Sequence, residues 1–66
     1  MAIVKFITDL QKMAIRTLLY RNKLDYGKVV SAALLIDMQD VPHIDDLSYD
    51  DAALIIEWGN NLKLLA

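Results

Sequence analysis

The chain has 66 residues and a formal net charge of −2, with no cysteine and a single histidine, His43. Without cysteine it can form neither disulfides nor thiolate zinc sites, and one histidine excludes a histidine-rich metal site. Counted with glycine and without tyrosine, about 55% of its residues are apolar, above the roughly 45–50% of ordinary domains. A domain this small buries only about 60% of its unfolded surface, so we expect oligomerisation to complete its core.

The charge is divided unevenly along the chain. Residues 1–28 carry six basic side chains against two acidic ones, a net charge of +4. Residues 29–66 carry one basic side chain against seven acidic ones, a net charge of −6. We therefore predict a basic half and an acidic half, which can make an association specific as well as apolar.

The first predicted helix spans residues 2–22, with Ala2 and Thr8 as alternative starts. Its apolar residues recur at helical spacing over well more than half of the helix circumference. The apolar stripe of an ordinary surface helix is narrower, with a width of about 100° or somewhat more. We therefore expect this helix to be covered on two sides. Five charged residues cluster within about 60° of the helical wheel: Lys5, Asp9, Lys12, Arg16 and Lys23. The basic ones form a predicted charged face of Lys5, Lys12, Arg16 and Lys23.

The second predicted helix spans residues 25–38. Asp25 is its expected N-cap, with Lys28 as an alternative start because Gly27 weakens the first turn by about 1 kcal/mol relative to alanine. Apolar residues surround the helix on nearly every side, which is typical of a buried helix. Residues 29–36 also fit a buried strand, because two valines and a serine favour β structure. The alanine, leucine and isoleucine residues that follow favour the helix.

The third predicted helix spans residues 48–59 and follows a loop in which Pro42 blocks helix continuation. Ser48 is its expected N-cap, with Asp51 three residues later as in a capping box, and Gly59 is its expected end. The apolar residues after Gly59 are expected to be docked, because chain ends are ordinarily polar. The sequence therefore predicts an all-α fold: a small three-helix domain over residues 1–66, completed by oligomerisation.

No stretch reaches the roughly 18 consecutive apolar residues that a membrane span requires. The longest candidate covers residues 29–36 and contains a serine. The first residues lack the basic flank, the long apolar stretch and the cleavage site of a signal peptide. We therefore expect a cytoplasmic protein that does not insert into a membrane.

Few groups in the sequence can carry catalytic chemistry. A nucleophilic mechanism would depend on His43 as its only base, and His43 is interpreted as a solvated loop residue. The acidic residues between Asp37 and Asp51 lack the alternating ligands, the turn glycine and the closing glutamate of a calcium loop. They are interpreted as solvated or helix-capping carboxylates. We expect no enzymatic activity, no metal and no cofactor.

The charged face of the first helix has several interpretations. The first is a solvated surface, or the complement of the chain's own acidic half. An acidic protein partner, nucleic acid and an anionic membrane are the alternatives. A nucleic-acid-binding domain is usually basic overall, whereas this chain is acidic overall, so we expect neither nucleic acid nor membrane as the main partner.

The sequence predicts a protein–protein interaction module that self-associates, preferably as a homodimer, and acts as a small regulatory protein, inhibitor or adaptor. A second protein with an acidic or apolar surface is a further partner class. The alternative function is a small nucleic-acid-binding regulator that uses the basic face of the first helix. Large apolar and aromatic residues are typical interface anchors. Those predicted for the interface are Phe6, Leu10, Met13, Leu18, Tyr20, Tyr26, Trp58, Leu62, Leu64 and Leu65.

Overall fold

The computed structural model describes residues 5–62, and these fold into three α-helices. The helices are α1 (Asp9–Asn22), α2 (Tyr26–Leu34) and α3 (Tyr49–Asn61). Two short 3₁₀ helices, Met38–Asp40 and Ile44–Asp46, lie in the connection between α2 and α3. The predicted all-α, three-helix class is confirmed for this part of the chain. None of the helices in it is long and apolar enough to cross a membrane.

Thr8 is the N-cap of α1, which confirms the later of the two predicted starts. Its hydroxyl accepts a hydrogen bond from the backbone N–H of Gln11 at 3.1 Å. The Gln11 side-chain oxygen accepts the backbone N–H of Thr8 at 3.0 Å, which completes a capping box. Two of the N–H groups that a helix start leaves without intrahelical partners are thereby satisfied.

The residues just before Thr8 are extended rather than helical. The N–H of Ile7 donates to the carbonyl of Leu47 at 3.0 Å, and the N–H of Tyr49 donates to the carbonyl of Lys5 at 2.7 Å. Because this segment finds its hydrogen-bond partners in the chain entering α3, it does not need helical ones. A helix that starts at residue 2 would include residues 5–8, and these are not helical. The earlier of the two predicted starts is therefore wrong for this described segment.

Asp25 is the N-cap of α2, as predicted. Its carboxylate accepts the backbone N–H of Lys28 at 3.1 Å, and Gly27 lies inside the first turn. The alternative strand over residues 29–36 is not formed, since residues 29–34 belong to α2. The helical interpretation of this segment is confirmed.

α2 ends at Leu34, four residues before the predicted end, and Ser31 is the cause. Its carbonyl accepts the N–H groups of both Leu35 and Ile36, and its hydroxyl donates to the Ile36 carbonyl at 2.6 Å. These bonds turn the chain at Leu35, which adopts a left-handed φ of 57°. The turn directs the half-buried Ile36 onto the core.

α3 begins after Ser48, whose hydroxyl accepts the N–H of Asp51 at 3.0 Å, so this predicted N-cap is confirmed. The helix continues two residues beyond the predicted end at Gly59. A Cβ at position 59 would lie 2.6 Å from Cδ2 of Leu18, so glycine allows α1 to approach α3 closely here. The role of Gly59 is helix packing rather than helix termination.

α3 is the central helix, because it packs against both α1 and α2. The buried hydrophobic residues come from all three helices and from their entry segments: Ile7, Ile15, Leu18, Val29, Val30, Leu47, Ala52 and Ile55. α2 is less enclosed than its composition predicts. Ala32 is exposed, and Leu35, just past the helix end, is 89% exposed. The predicted burial of α2 on nearly every side is therefore wrong.

α1 and α3 lie side by side and run in the same direction. Near their first turns, the Gln11 side-chain amide donates to the Tyr49 carbonyl at 3.2 Å. Near their last turns, Leu18 lies against Gly59. This parallel pairing brings the outer sides of the two helices together on one surface of the molecule.

Candidate protein-interaction site

The outer side of α1 is an exposed apolar stripe. Leu10, Met13 and Thr17 lie within about 60° of one another on the helical wheel, opposite the buried Ile15. Leu10 is 79% exposed and Met13 is 63% exposed. Ala14, also exposed, lies beside this stripe on the side toward α3. A helix of a self-contained domain ordinarily presents charged and polar residues on this side.

The outer side of α3 continues the apolar surface. Tyr49, Ala53, Ile56 and Asn60 lie within about 60° of one another on its wheel, on the side toward α1. Tyr49 and Ala53 are exposed and Ile56 is half-buried. We call the combined surface the α1–α3 face, made of Leu10, Met13, Ala14 and Thr17 of α1 with Tyr49, Ala53, Ile56 and Asn60 of α3. No side chain in this set is charged, but the exposed Arg21 lies between Leu10 and Ala14 on the wheel, at the last turn of α1.

A hollow of about 220 Å³ lies in the α1–α3 face, between the two helices. Its lining consists of Met13, Ala14, Thr17, Leu18, Ile56 and Asn60. Ala14 and Thr17 are small, and Gly59 lets the helices approach closely beneath them, so the surface is concave here. Interface pockets of this kind accept large apolar anchors from a partner.

Charged side chains flank both edges of the α1–α3 face. Arg16 lies on α1 about 60° beyond Met13, on the side away from α3. Glu57 and Asp50 lie on α3 about 40–60° beyond Ala53, on the side away from α1. All three side chains are exposed. The exposed Asp9 lies about 20° from Arg16 on the wheel, so the α1 edge carries both charges, whereas the α3 edge is acidic.

The other side of α1 contacts the acidic loop before α3. The Lys12 ammonium lies 2.7 Å from a carboxylate oxygen of Asp45 and 4.0 Å from one of Asp9. The hydrogen bond and the charge of Lys12 hold the pKa of the Asp45 carboxyl below its usual value, with smaller contributions from His43 and Arg16. At this contact the basic part of the chain is complemented by its own acidic part.

His43 lies in the exposed loop, where it caps the second 3₁₀ helix. Its Nδ1 accepts the backbone N–H of Asp45 at 3.3 Å. Within residues 5–62, no group of three or more histidine, cysteine, aspartate or glutamate side chains could hold a metal ion.

Five predicted interface residues are exposed. Leu10 and Met13 belong to the α1–α3 face. Tyr20 is 86% exposed, about two helical turns beyond Met13 on the same stripe of α1. Phe6 is 65% exposed and precedes α1, and Leu62 is 53% exposed at the end of α3. Of this group, Leu10, Met13 and Tyr20 share one side of α1.

Three predicted interface residues are engaged within the chain. Leu18 is only 6% exposed and lies against Gly59. Trp58 is half-buried against the core. Tyr26 is half-buried, and its hydroxyl donates to the Pro42 carbonyl at 2.7 Å. Their large apolar surfaces stabilise this chain's own fold. The two remaining predictions, Leu64 and Leu65, lie outside the described residues, as does most of the predicted docked tail.

The predicted charged face is divided by the structure. Lys12 and Arg16 lie within α1, whereas Lys5 precedes it and Lys23 is its left-handed C-cap, with φ of 52°. The four residues therefore do not form one continuous helical stripe. Sequence reasoning did not identify Ala14, Thr17, Ile56 and Asn60 as lining residues.

Comparisons with protein-family models, with curated proteins and with solved structures found no match to this chain.

Proposed function

We propose that this protein is a protein–protein interaction module, a small self-associating regulator, inhibitor or adaptor without catalytic activity of its own. The observation that carries the proposal is the apolar part of the α1–α3 face, with Leu10 and Met13 mostly exposed around a hollow. Exposed apolar surface with a polar rim is typical of interaction sites. The absence of cysteine fits the cytoplasm as its location.

The size of the face sets the expected strength of the association. Two parallel helices of 14 and 13 residues present a surface about 20 Å long and about 20 Å wide, on the order of 400 Å² in flat projection. Standard protein interfaces bury about 800 Å² on each partner. Burying one leucine or methionine contributes about 1.5–3 kcal/mol, and association itself costs at least about 4 kcal/mol. We therefore expect micromolar rather than nanomolar affinity.

The test is the molar mass of the protein in solution, measured by sedimentation equilibrium from low micromolar to several hundred micromolar concentration. We expect the mass to rise toward that of a dimer. Met13→Glu places a charge on the face and is expected to keep the protein monomeric over the same range. Far-ultraviolet circular dichroism verifies that the variant remains folded, which we expect because Met13 is mostly exposed.

The matched control is Leu35→Glu. Leu35 is 89% exposed and lies after α2, outside the α1–α3 face. We expect this variant to associate as the unmodified chain does. A chain that stays monomeric at several hundred micromolar contradicts self-association. Equal loss of association in both variants contradicts the assignment of the face.

The nucleic-acid alternative has less support. Lys12, at the centre of the charged face, is engaged with Asp45 at 2.7 Å, which reduces the positive charge available to phosphates. If the protein binds duplex or single-stranded DNA at low salt, and Arg16→Ala abolishes that binding, the alternative replaces the proposed function.

A further inference from the structure

Two open hollows adjoin where the end of α1 meets the start of α2. The first has a volume of about 680 Å³ and is lined by Arg16, Leu19, Tyr20, Arg21, Lys23 and Leu24. The second, of about 390 Å³, shares Lys23 and Leu24 with the first and adds Asp25, Lys28, Val29, Ala32 and Trp58. Because the two hollows have lining residues in common, they form one surface, which we call the α1–α2 groove.

The floor of the α1–α2 groove is apolar. Leu19, Leu24 and Trp58 are half-buried and pack against the core, and Val29 is buried. The part of these side chains that the core does not cover borders the hollows. A floor of this kind accepts the apolar groups of a ligand, while the few polar groups around it fix the ligand's orientation.

The rim of the α1–α2 groove is cationic. Arg16, Lys23 and Lys28 are exposed, and within residues 5–62 none of the three forms an ion pair. Arg16 acts only at longer range on Asp45, which is already paired with Lys12 at 2.7 Å. The three positive charges of the rim are therefore available to an anionic ligand.

One carboxylate lies in the groove, and the chain uses it internally. Asp25 accepts the backbone N–H of Lys28 at 3.1 Å as the N-cap of α2, so its charge lies at the positive end of that helix. No other acidic residue within residues 5–62 lines either hollow. Since Arg21 also belongs to the lining, four basic side chains stand against one acidic one. The groove is therefore positive in a chain that is acidic overall.

Lys23, which borders both hollows, has a costly backbone conformation. Its φ of 52° and ψ of 47° are left-handed, and glycine and asparagine adopt this region far more readily than lysine does. Backbone of this kind is enriched at binding sites. Glycine would make the turn more easily but would remove the charge from the centre of the groove. The lysine is therefore better explained by the groove than by the turn.

We propose that the α1–α2 groove binds an acidic segment of a partner protein, one in which leucine or phenylalanine is interspersed among glutamate and aspartate. Its carboxylates meet Arg16, Lys23 and Lys28, and its apolar side chains contact the floor. The inference rests on the proposed function and specifies the chemistry of the partner. Nucleic acid is a poorer match, because the phosphates that dominate its affinity would leave the apolar floor uncovered.

Trp58 provides a direct readout, because it is the only tryptophan of the chain and lines the groove. The probe is a short blocked peptide of the proposed composition, titrated into the protein at low salt. We expect the tryptophan emission to change with a dissociation constant on the order of 100 μM, since exposed ion pairs are individually weak. Two comparison peptides carry either glutamine and asparagine for the acidic residues or serine for the apolar ones. Each should bind about tenfold more weakly, and equal binding of either peptide contradicts the proposed composition.

A pair of lysine variants tests the rim. Lys23→Asn removes the central charge, while asparagine accepts the left-handed backbone. We expect its urea midpoint to be at least that of the unmodified chain and its affinity for the peptide to fall about threefold to fivefold. Lys5→Gln removes the same charge at an exposed position outside the groove, and should change the affinity by less than about twofold. Equal weakening in both variants is a general effect of charge and overturns the proposal.

A pair of aspartate variants makes a change of opposite sign. Asparagine retains an N-cap, so Asp25→Asn should leave α2 intact and tighten peptide binding about twofold to threefold. Asp37→Asn raises the net charge by the same unit at an exposed position outside the groove, and should have little effect. If both variants tighten binding equally, the groove is not the binding site.

The remaining outcomes separate this inference from the proposed function. If the protein dimerises but neither tryptophan emission nor calorimetry detects the peptide, the groove proposal is overturned and self-association stands. If Met13→Glu binds the peptide as tightly as the unmodified chain does, the groove acts independently of self-association, and the proposal is supported even for a monomeric protein. If single-stranded DNA of equal charge binds more tightly than the peptide, and Lys23→Asn weakens both alike, the groove binds nucleic acid and the proposal is overturned.

Discussion

The two long sides of α1 have different surroundings. One side faces the loop before α3, where Lys12 contacts Asp45 at 2.7 Å and the Tyr26 hydroxyl bonds the loop backbone. The other side belongs to the α1–α3 face, where Leu10 and Met13 are mostly exposed. The chain covers Lys12 on the charged side of its first helix and leaves the apolar side open. A self-contained domain does the reverse, since burial of apolar surface is its main source of stability.

Under the proposed function, the two sides of α1 have separate tasks. Contacts on the loop side join distant parts of the sequence and hold the fold together. Contacts available on the α1–α3 face add little to the fold of one chain and are free to stabilise an assembly. Substitutions on the two sides of α1 should therefore change different measurements: the free energy of unfolding for the inner and loop sides, and the association constant for the face.

The largest expected effect is at Ile15, which lies between the two sides and is fully buried. Ile15→Ala removes buried methyl groups and leaves a cavity, which costs about 2–5 kcal/mol. Native domains have only about 5–15 kcal/mol of stability, and small ones lie at the low end, so this variant should be largely unfolded at moderate denaturant. Urea titration followed by circular dichroism at low protein concentration measures the loss.

Leu10→Ala is the control for that measurement. It also shortens a large apolar side chain on α1, but Leu10 is 79% exposed, so the free energy of unfolding of the dilute protein should change by less than about 0.5 kcal/mol. Its effect should appear in the dimer dissociation constant instead. If Leu10→Ala destabilises the dilute monomer as much as Ile15→Ala does, then the outer side of α1 also maintains the fold.

Local rules predicted much of the fold. Asp25 and Ser48 were identified as N-caps, and Thr8 as one of two starts, because a capping side chain needs only neighbours within three residues. The end of α2 was missed. The hydrogen bonds of Ser31 to Leu35 and Ile36 end that helix, whereas the apolar spacing continues beyond it.

The candidate site was predicted only in part, because it depends on how the helices pack against one another. The helical wheel gave α1 an apolar arc too wide for one contact, which identified Leu10 and Met13. It could not separate them from Leu18, because the close approach allowed by Gly59 depends on which helix packs on which side. The hollow next to Ala14 and Thr17 likewise exists only once α3 lies beside α1.

The next effect in size is on the loop side, at Tyr26. Its hydroxyl donates to the Pro42 carbonyl at 2.7 Å and is partly shielded from solvent. Tyr26→Phe keeps the ring and removes this bond, so we expect the free energy of unfolding to fall by about 1 kcal/mol while the dimer dissociation constant stays the same. Tyr20→Phe is the control. Because Tyr20 is 86% exposed, this variant should have the same free energy of unfolding as the unmodified chain. Equal effects in the two variants contradict a specific role for the Tyr26 hydroxyl.

The smallest effect concerns the pH dependence of the Lys12–Asp45 contact. Lys12 lowers the pKa of the Asp45 carboxyl in the folded protein, so the unfolded chain binds this proton more tightly. The contact therefore stabilises the fold above the usual aspartate pKa of about 3.9, and this contribution is lost as the pH falls through the lower pKa of the folded state. Asp45→Asn should reduce the loss of stability between neutral pH and about pH 3.

Two controls distinguish the effect of the Lys12–Asp45 contact from the general loss of stability in acid. One is a change in ionic strength, and the other is a variant of a second carboxylate. Asp45 is exposed, so the difference between the unmodified chain and Asp45→Asn should shrink at high ionic strength, where surface charges are screened. Asp37→Asn removes another exposed carboxylate, one that makes no side-chain capping bond, and it should retain the pH dependence of the unmodified chain. If Asp37→Asn and Asp45→Asn reduce the acid sensitivity equally, the loop side of α1 is held by its apolar contacts and the Tyr26 bond. In that case the Lys12–Asp45 ion pair balances the charge of Lys12 without contributing specifically to the pH dependence of stability.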